Sequence, residues 1–181
     1  MRIYWLLKDL QQELKLAFEK FPFRDGEDFR PPEIWIGDVP PKISLPTNVQ
    51  KPYKSGEPPF IVIRFLDGDQ QIDKAKFFEI RIGFLCAVYS KESFDEIETG
   101  YQDIFNMIER VMLVLNNRHY WLESFWKCEE NIKVVSGLQK ELTNIYDAGS
   151  NSHPFYGSAV VATFTCPAIN RPPFPETDNK Y

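Results

Sequence analysis

Apolar side chains at Ile3, Leu6, Leu7, Leu10, Leu14, Ala17, Phe18 and Phe21 recur every three or four residues, with Asp9, Gln12, Glu13, Glu19 and Lys20 between them. That spacing lays one apolar stripe along a helix, predicted over residues 2–20. Phe21-Pro22 ends it, because proline disfavours the helical conformation of the residue before it and lacks an N–H. Phe60 to Leu66 is β-branched and aromatic, which predicts a strand, and the polar run Asp67-Gly68-Asp69-Gln70-Gln71 predicts a hairpin turn after it. In the partner strand Phe78, Ile80, Ile82, Phe84, Cys86 and Val88 give one wholly apolar face. The other face mixes Glu79, Arg81, Gly83 and Tyr89 with Phe77, Leu85 and Ala87.

Ser93-Phe94-Asp95-Glu96 matches a capping box, in which the Ser93 hydroxyl and the Glu96 carboxylate satisfy backbone donors at a helix start. The helix it opens runs to Leu115, with an apolar stripe of Phe94, Ile97, Tyr101, Ile104, Phe105, Ile108, Val111, Met112 and Leu115. Asn116-Asn117 is its stop signal. After the aromatic stretch His119 to Trp126, weak alternation through Ile132, Val134, Ser136 and Leu138 predicts a less buried strand over 131–142, and Ala159 to Cys166 a final strand closed by Pro167. The fold class is therefore α+β, a mainly antiparallel sheet in αββαββ order with two flanking helices. Residues 1–169 form one domain and 170–181 a flexible polar tail.

Residues 22–59 are proline-rich, with Pro31-Pro32, Pro40-Pro41, Pro46, Pro52 and Pro58-Pro59, and only Ile34-Trp35-Ile36 reads as a short strand. Such a long arm is uncommon inside a compact domain and tends to carry contacts. Ile34, Trp35, Ile36 and Tyr53 are accordingly the interface candidates. The other reading, in which the arm covers this chain's own core, stays open.

A net charge of −5 argues against specific nucleic-acid binding, which draws its affinity from clustered Lys and Arg. Cys86, Cys128 and Cys166 are odd in number, widely spaced and outside any CxxC pattern, which suits buried reduced thiols rather than disulfides or zinc. The Asp67 to Phe78 stretch lacks the glycine and the glutamate of a calcium loop, having Ile72 and Phe78 in their places. His119 and His153 have no acidic or thiol neighbours at ligand spacing, and no phosphate loop or nucleophile elbow occurs. The expectation is no catalytic, cofactor or metal site, and hence no enzyme. The first residues are too short an apolar run for a signal peptide or a membrane span, so the chain is expected to stay in the cytosol that made it.

The amino-terminal helix, Val39-Pro40-Pro41-Lys42, the stretch Pro59 to Asp69, the helix segment Gly100 to Arg110 and His153-Pro154-Phe155-Tyr156-Gly157-Ser158 together resemble the tail terminator, or tail completion, proteins of long-tailed bacteriophages and prophages. The resemblance implies a virion structural protein, assembled in the bacterial cytoplasm and located in the tail. It implies a homo-oligomeric ring, a hexamer in this family, at the head-proximal end of the tail tube. Its partners would be the tail tube protein and a head-completion protein, with no cofactor and no membrane. A head-closure or minor capsid role is the nearest alternative. A small-molecule site lined by Tyr89, Trp121 and Trp126 is a more distant one.

Overall fold

A computed structural model describes residues 2–25, 28–38, 58–70, 77–89, 97–136 and 155–167. Helix α1 spans Arg2–Phe18 and buries Leu6, Leu7, Leu10, Leu14 and Phe18, the stripe its periodicity predicts. Of the proline-rich segment, residues 39–57 lie outside the described residues, and the part before them carries strands. Strands β1 (Phe23–Asp25) and β2 (Asp28–Arg30) form a small antiparallel hairpin, and β3 (Glu33–Ile36) joins the main sheet. Pro31-Pro32 separates hairpin from strand, and neither needs a donor from those two positions.

Strands β4 (Phe60–Gln70) and β5 (Phe77–Tyr89) pair antiparallel, then helix α2 (Ile97–Asn117) follows. Short strands β6 (Tyr120–Trp121), β7 (Trp126–Cys128) and β8 (Lys133–Ser136) precede the long strand β9 (Phe155–Pro167). The described residues form a mixed α and β fold with two helices and a mostly antiparallel sheet. The seven-stranded sheet runs β3-β4-β5-β9-β7-β6, with β8 also on β9, and β3 on β4 is its parallel pair. The strands β1, β2, β3, β6 and β7 stand outside the expected αββαββ order.

Ile61, Ile63, Ile80, Ile82, Phe84, Cys86, Val88, Val160, Ala162, Phe164 and Cys166 all point to one side of the sheet, where they form a single core with α1 and α2. Both helices therefore lie on the same face rather than on opposite faces. Helix α1 touches both β3 and β6, the strands at the two ends of the sheet order, so it spans the sheet from end to end. A second, smaller cluster of Phe60, Val62, Leu85, Ala87 and Ala159 occupies the other face, with Trp35, Leu66 and Val135 against it. Among the described residues no helix lies on that side.

Two departures from the sequence reading have clear causes. Asp67-Gly68-Asp69-Gln70 does not turn: a bulge between Phe65 and Asp67 absorbs Leu66, and β4 continues to Gln70. The Asp67 carboxylate then sits opposite Arg81 and pairs with its guanidinium. In α2, Ile104, Met107, Ile108, Val111 and Leu115 are core, but Tyr101 and Phe105 lie on an exposed flank. Ser93 to Glu96, residues 137–142 and 170–181, Tyr53 and His153 lie outside the described residues.

Candidate functional site

The three strand residues singled out in the proline-rich segment form the outer strand β3. Glu33 N–H donates to the Pro59 carbonyl (3.1 Å) and Gly37 N–H to the Ile63 carbonyl (2.9 Å). In a parallel pair alternate residues serve the neighbour, so Ile34 and Ile36 turn their backbone groups away from β4. The Ile34 carbonyl instead accepts from the Gln11 side-chain amide of α1 (2.7 Å). The Ile34 side chain is buried in the helix-side core, Ile36 packs against that core, and Trp35 packs on the opposite cluster. These residues belong to the subunit's own sheet and, among the described residues, leave a strand edge facing outward.

The helices present a second surface. They run side by side and antiparallel: Arg110 donates to the Ala17 carbonyl (2.9 Å), and Arg118 reaches back to Asp9 and Glu13. On their solvent side Trp5 is 59% and Leu16 60% exposed on α1, and Phe105 is 54% and Leu113 55% exposed on α2. Each helix is thus apolar on a buried stripe and again at large outward positions. An amphipathic helix closing a single core needs only the first.

Arg118 locks the helices to the β6–β7 hairpin. Its guanidinium donates to both Asp9 carboxylate oxygens (3.2 and 3.1 Å), to Glu13 (2.9 Å) and to the Tyr120 carbonyl (3.0 Å), and it lies over the Trp121 ring. Asp9 also accepts the Leu122 N–H (2.8 Å). Leu122, Glu123 and Ser124 all have positive φ, between 49° and 68°, a left-handed run that costs on the order of 1–3 kcal/mol per residue without glycine. The contacts around Asp9 hold this turn, and the sequence carries no glycine to announce it.

The aromatic pocket considered from the sequence is not assembled. Trp121 and Trp126 are cross-strand partners sealed in the core, whereas Tyr89 lies at the opposite end of β5 from Phe78, which packs on Trp126. The indole N–H groups of both tryptophans find no acceptor among the described residues. All three cysteines are buried and unbridged. Burial pushes the Cys86 thiol up to about 12 and that of Cys128 to about 11, which removes thiolate character from both. His119 is exposed. Among the described residues no cluster of His, Cys, Asp and Glu could hold a metal ion, and none of the helices is long and apolar enough to cross a membrane.

On the sheet face away from the helices, the hairpin end of β4 and β5 is polar. The Arg81 guanidinium holds the Asp67 carboxyl below its usual range, and Arg64 pairs with Asp38 (3.0 Å). On β9, Thr165 donates its hydroxyl to Glu129 (2.6 Å), whose other oxygen meets Lys127 (3.1 Å). These are ion pairs and hydrogen bonds between surface side chains, and they gather no nucleophile with a base.

No family model matches the sequence, and no curated protein matches it.

Proposed function

We propose that this chain is a virion assembly subunit of the tail-terminator type, which works through its surfaces rather than through a reaction. The observation that carries the reading is the outward apolar side of the helical layer, where Trp5, Leu16, Phe105 and Leu113 stand exposed on two helices whose inner stripes are already buried. Large apolar side chains left exposed on one layer are the kind of surface that a protein partner covers. The ring at the tail end, with the tail tube and head-completion proteins as partners, follows from the sequence resemblance and is part of the proposal. In that arrangement the helical side meets another virion protein, while a different pair of surfaces joins copies, as a heterologous ring requires.

The test is size-exclusion chromatography with light scattering on the purified chain, followed by negative-stain microscopy. The reading expects a closed ring whose mass is a whole multiple of one chain. A single chain at every concentration counts against it. A head-closure role would give the same ring, and binding to isolated tail tubes separates the two.

A further inference from the structure

We infer that copies of this chain join by pairing the outer edge of β3 in one subunit with the outer edge of β8 in the next, making one sheet continuous across the interface. The inference rests on the assembly reading above and names the contact that would build it.

The two strands lie at the same level of the sheet. Ile34, Ile61, Cys86, Ser158 and Ser136 form one row across β3-β4-β5-β9-β8. Trp35, Val62, Leu85, Ala159 and Val135 form the next, and Ile36, Ile63, Phe84, Val160 and Val134 the third. Counting directions through these pairs, β8 runs antiparallel to β3. A neighbour related by rotation within the sheet would therefore present β3 to β8 as an antiparallel strand in register.

The backbone groups match as well. The Val135 carbonyl accepts from the Ser158 hydroxyl of β9 (2.8 Å), so it points inward and Val134 turns its N–H and carbonyl outward. On β3 the outward residues are Ile34 and Ile36. With the rows carried across the interface, Ile36 faces Val134 as a pair that exchanges two hydrogen bonds, and Ile34 faces Ser136. Trp35 and Val135 fall between them as the close pair without hydrogen bonds. The side chains agree: Val134, 46% exposed, comes beside Ile36 on the helix side, and Trp35 comes beside Val135 on the other. Lys133, exposed on β8, comes level with Gly37 and the exposed Asp38, an attraction of opposite charges. In the free subunit Gln11 occupies the Ile34 carbonyl, which blunts the edge as natural sheets commonly do.

The experiment mixes two single-cysteine additions, Trp35→Cys and Val135→Cys, under mild oxidation. Opposed residues of a close antiparallel pair have Cα atoms about 4.5 Å apart, within disulfide reach. Within one chain the two positions are four strand spacings apart, on the order of 19 Å along the sheet, so only neighbours can bridge. A disulfide dimer in the mixture, absent from either variant alone, is the expected result. In parallel, Val134→Pro deletes the outward N–H; it should keep the Tm within a few degrees and abolish assembly. If the chain assembles while no bridge forms and Val134→Pro assembles equally, the edge pairing is overturned and the assembly reading stands. A chain that is monomeric at every concentration, with no bridge, overturns both.

Discussion

Arg118 and Asp9 are bound by two hydrogen bonds of 3.2 and 3.1 Å, although 108 residues lie between them in the chain. The same carboxylate takes the Leu122 N–H, so one side chain fastens the end of α2 and the start of a left-handed turn to α1. Asp9→Ala should lower stability by about 1–3 kcal/mol, the usual cost of stranding hydrogen-bond donors, here tempered by partial exposure. Arg118→Lys should recover little of an Arg118→Ala loss, because an ammonium cannot span both oxygens. Urea denaturation of the three variants checks this; full rescue by lysine would show that charge alone matters.

Gly100 sits so close to the Tyr156 ring that an added Cβ would clash with it. Gly100→Ala should therefore destabilise by about 1–3 kcal/mol through overpacking, despite alanine's higher helix propensity. Combining it with Tyr156→Leu should cost less than the sum of the two single changes, and thermal melts of the double-mutant cycle read this coupling.

The Glu129 carboxyl is held below its usual value near 4.5, first by the Thr165 hydroxyl and then by Lys127. A carboxylate with a depressed folded pKa contributes stability above its unfolded pKa and loses it as pH falls through the folded value. Thr165→Val should thus cost on the order of 1 kcal/mol at pH 7. The gap to the parent chain should close as pH drops below about 4.5 toward the folded value. Melting curves at pH 7 and at stepwise lower pH test it; a gap that stays constant would assign the loss to packing.

Ile108 and Leu113 lie on one helix but face opposite environments, the first buried and the second exposed. Ile108→Asp should leave no soluble folded protein, because it buries an unpaired charge. Leu16→Glu with Leu113→Glu should keep the Tm within a few degrees and raise the concentration at which the protein precipitates. Equal loss of fold in both cases would place the outer helix surface in the core.

Much of this architecture was legible in local patterns. The stripes of α1 and α2, and the alternation of β4, β5 and β9, each follow from a periodicity that burial enforces. What escaped has physical reasons. Asp67-Gly68-Asp69 has turn chemistry, but the bulge at Leu66 and the cross-strand partner Arg81 keep it extended. The β6–β7 hairpin hides because its positive-φ residues are Leu122, Glu123 and Ser124, which carry no turn signal. Ile34 to Ile36 read as a strand, yet its parallel pairing depends on Ile61 and Ile63, far along the chain. Trp35 and Ile36 were visible as contact candidates. The β8 edge at Val134 that is proposed to meet them was not, because register exists only between strands.

The strand at the centre of the sheet, β9, is also the last of the described strands: β5 lies on one side of it, and β7 and β8 on the other. During synthesis every earlier strand emerges before the one that unites them, and α1 waits for β6 to complete its seat. Folding is then dominated by pairings distant in sequence, which are slow and expose unpaired edges meanwhile. A ribosome-bound chain lacking residues 155–167 would hold two helices and the halves of a sheet with nothing to join them. The sheet closes only once residues 155–167 are available, and the outer strands β3 and β8 come level with each other only then.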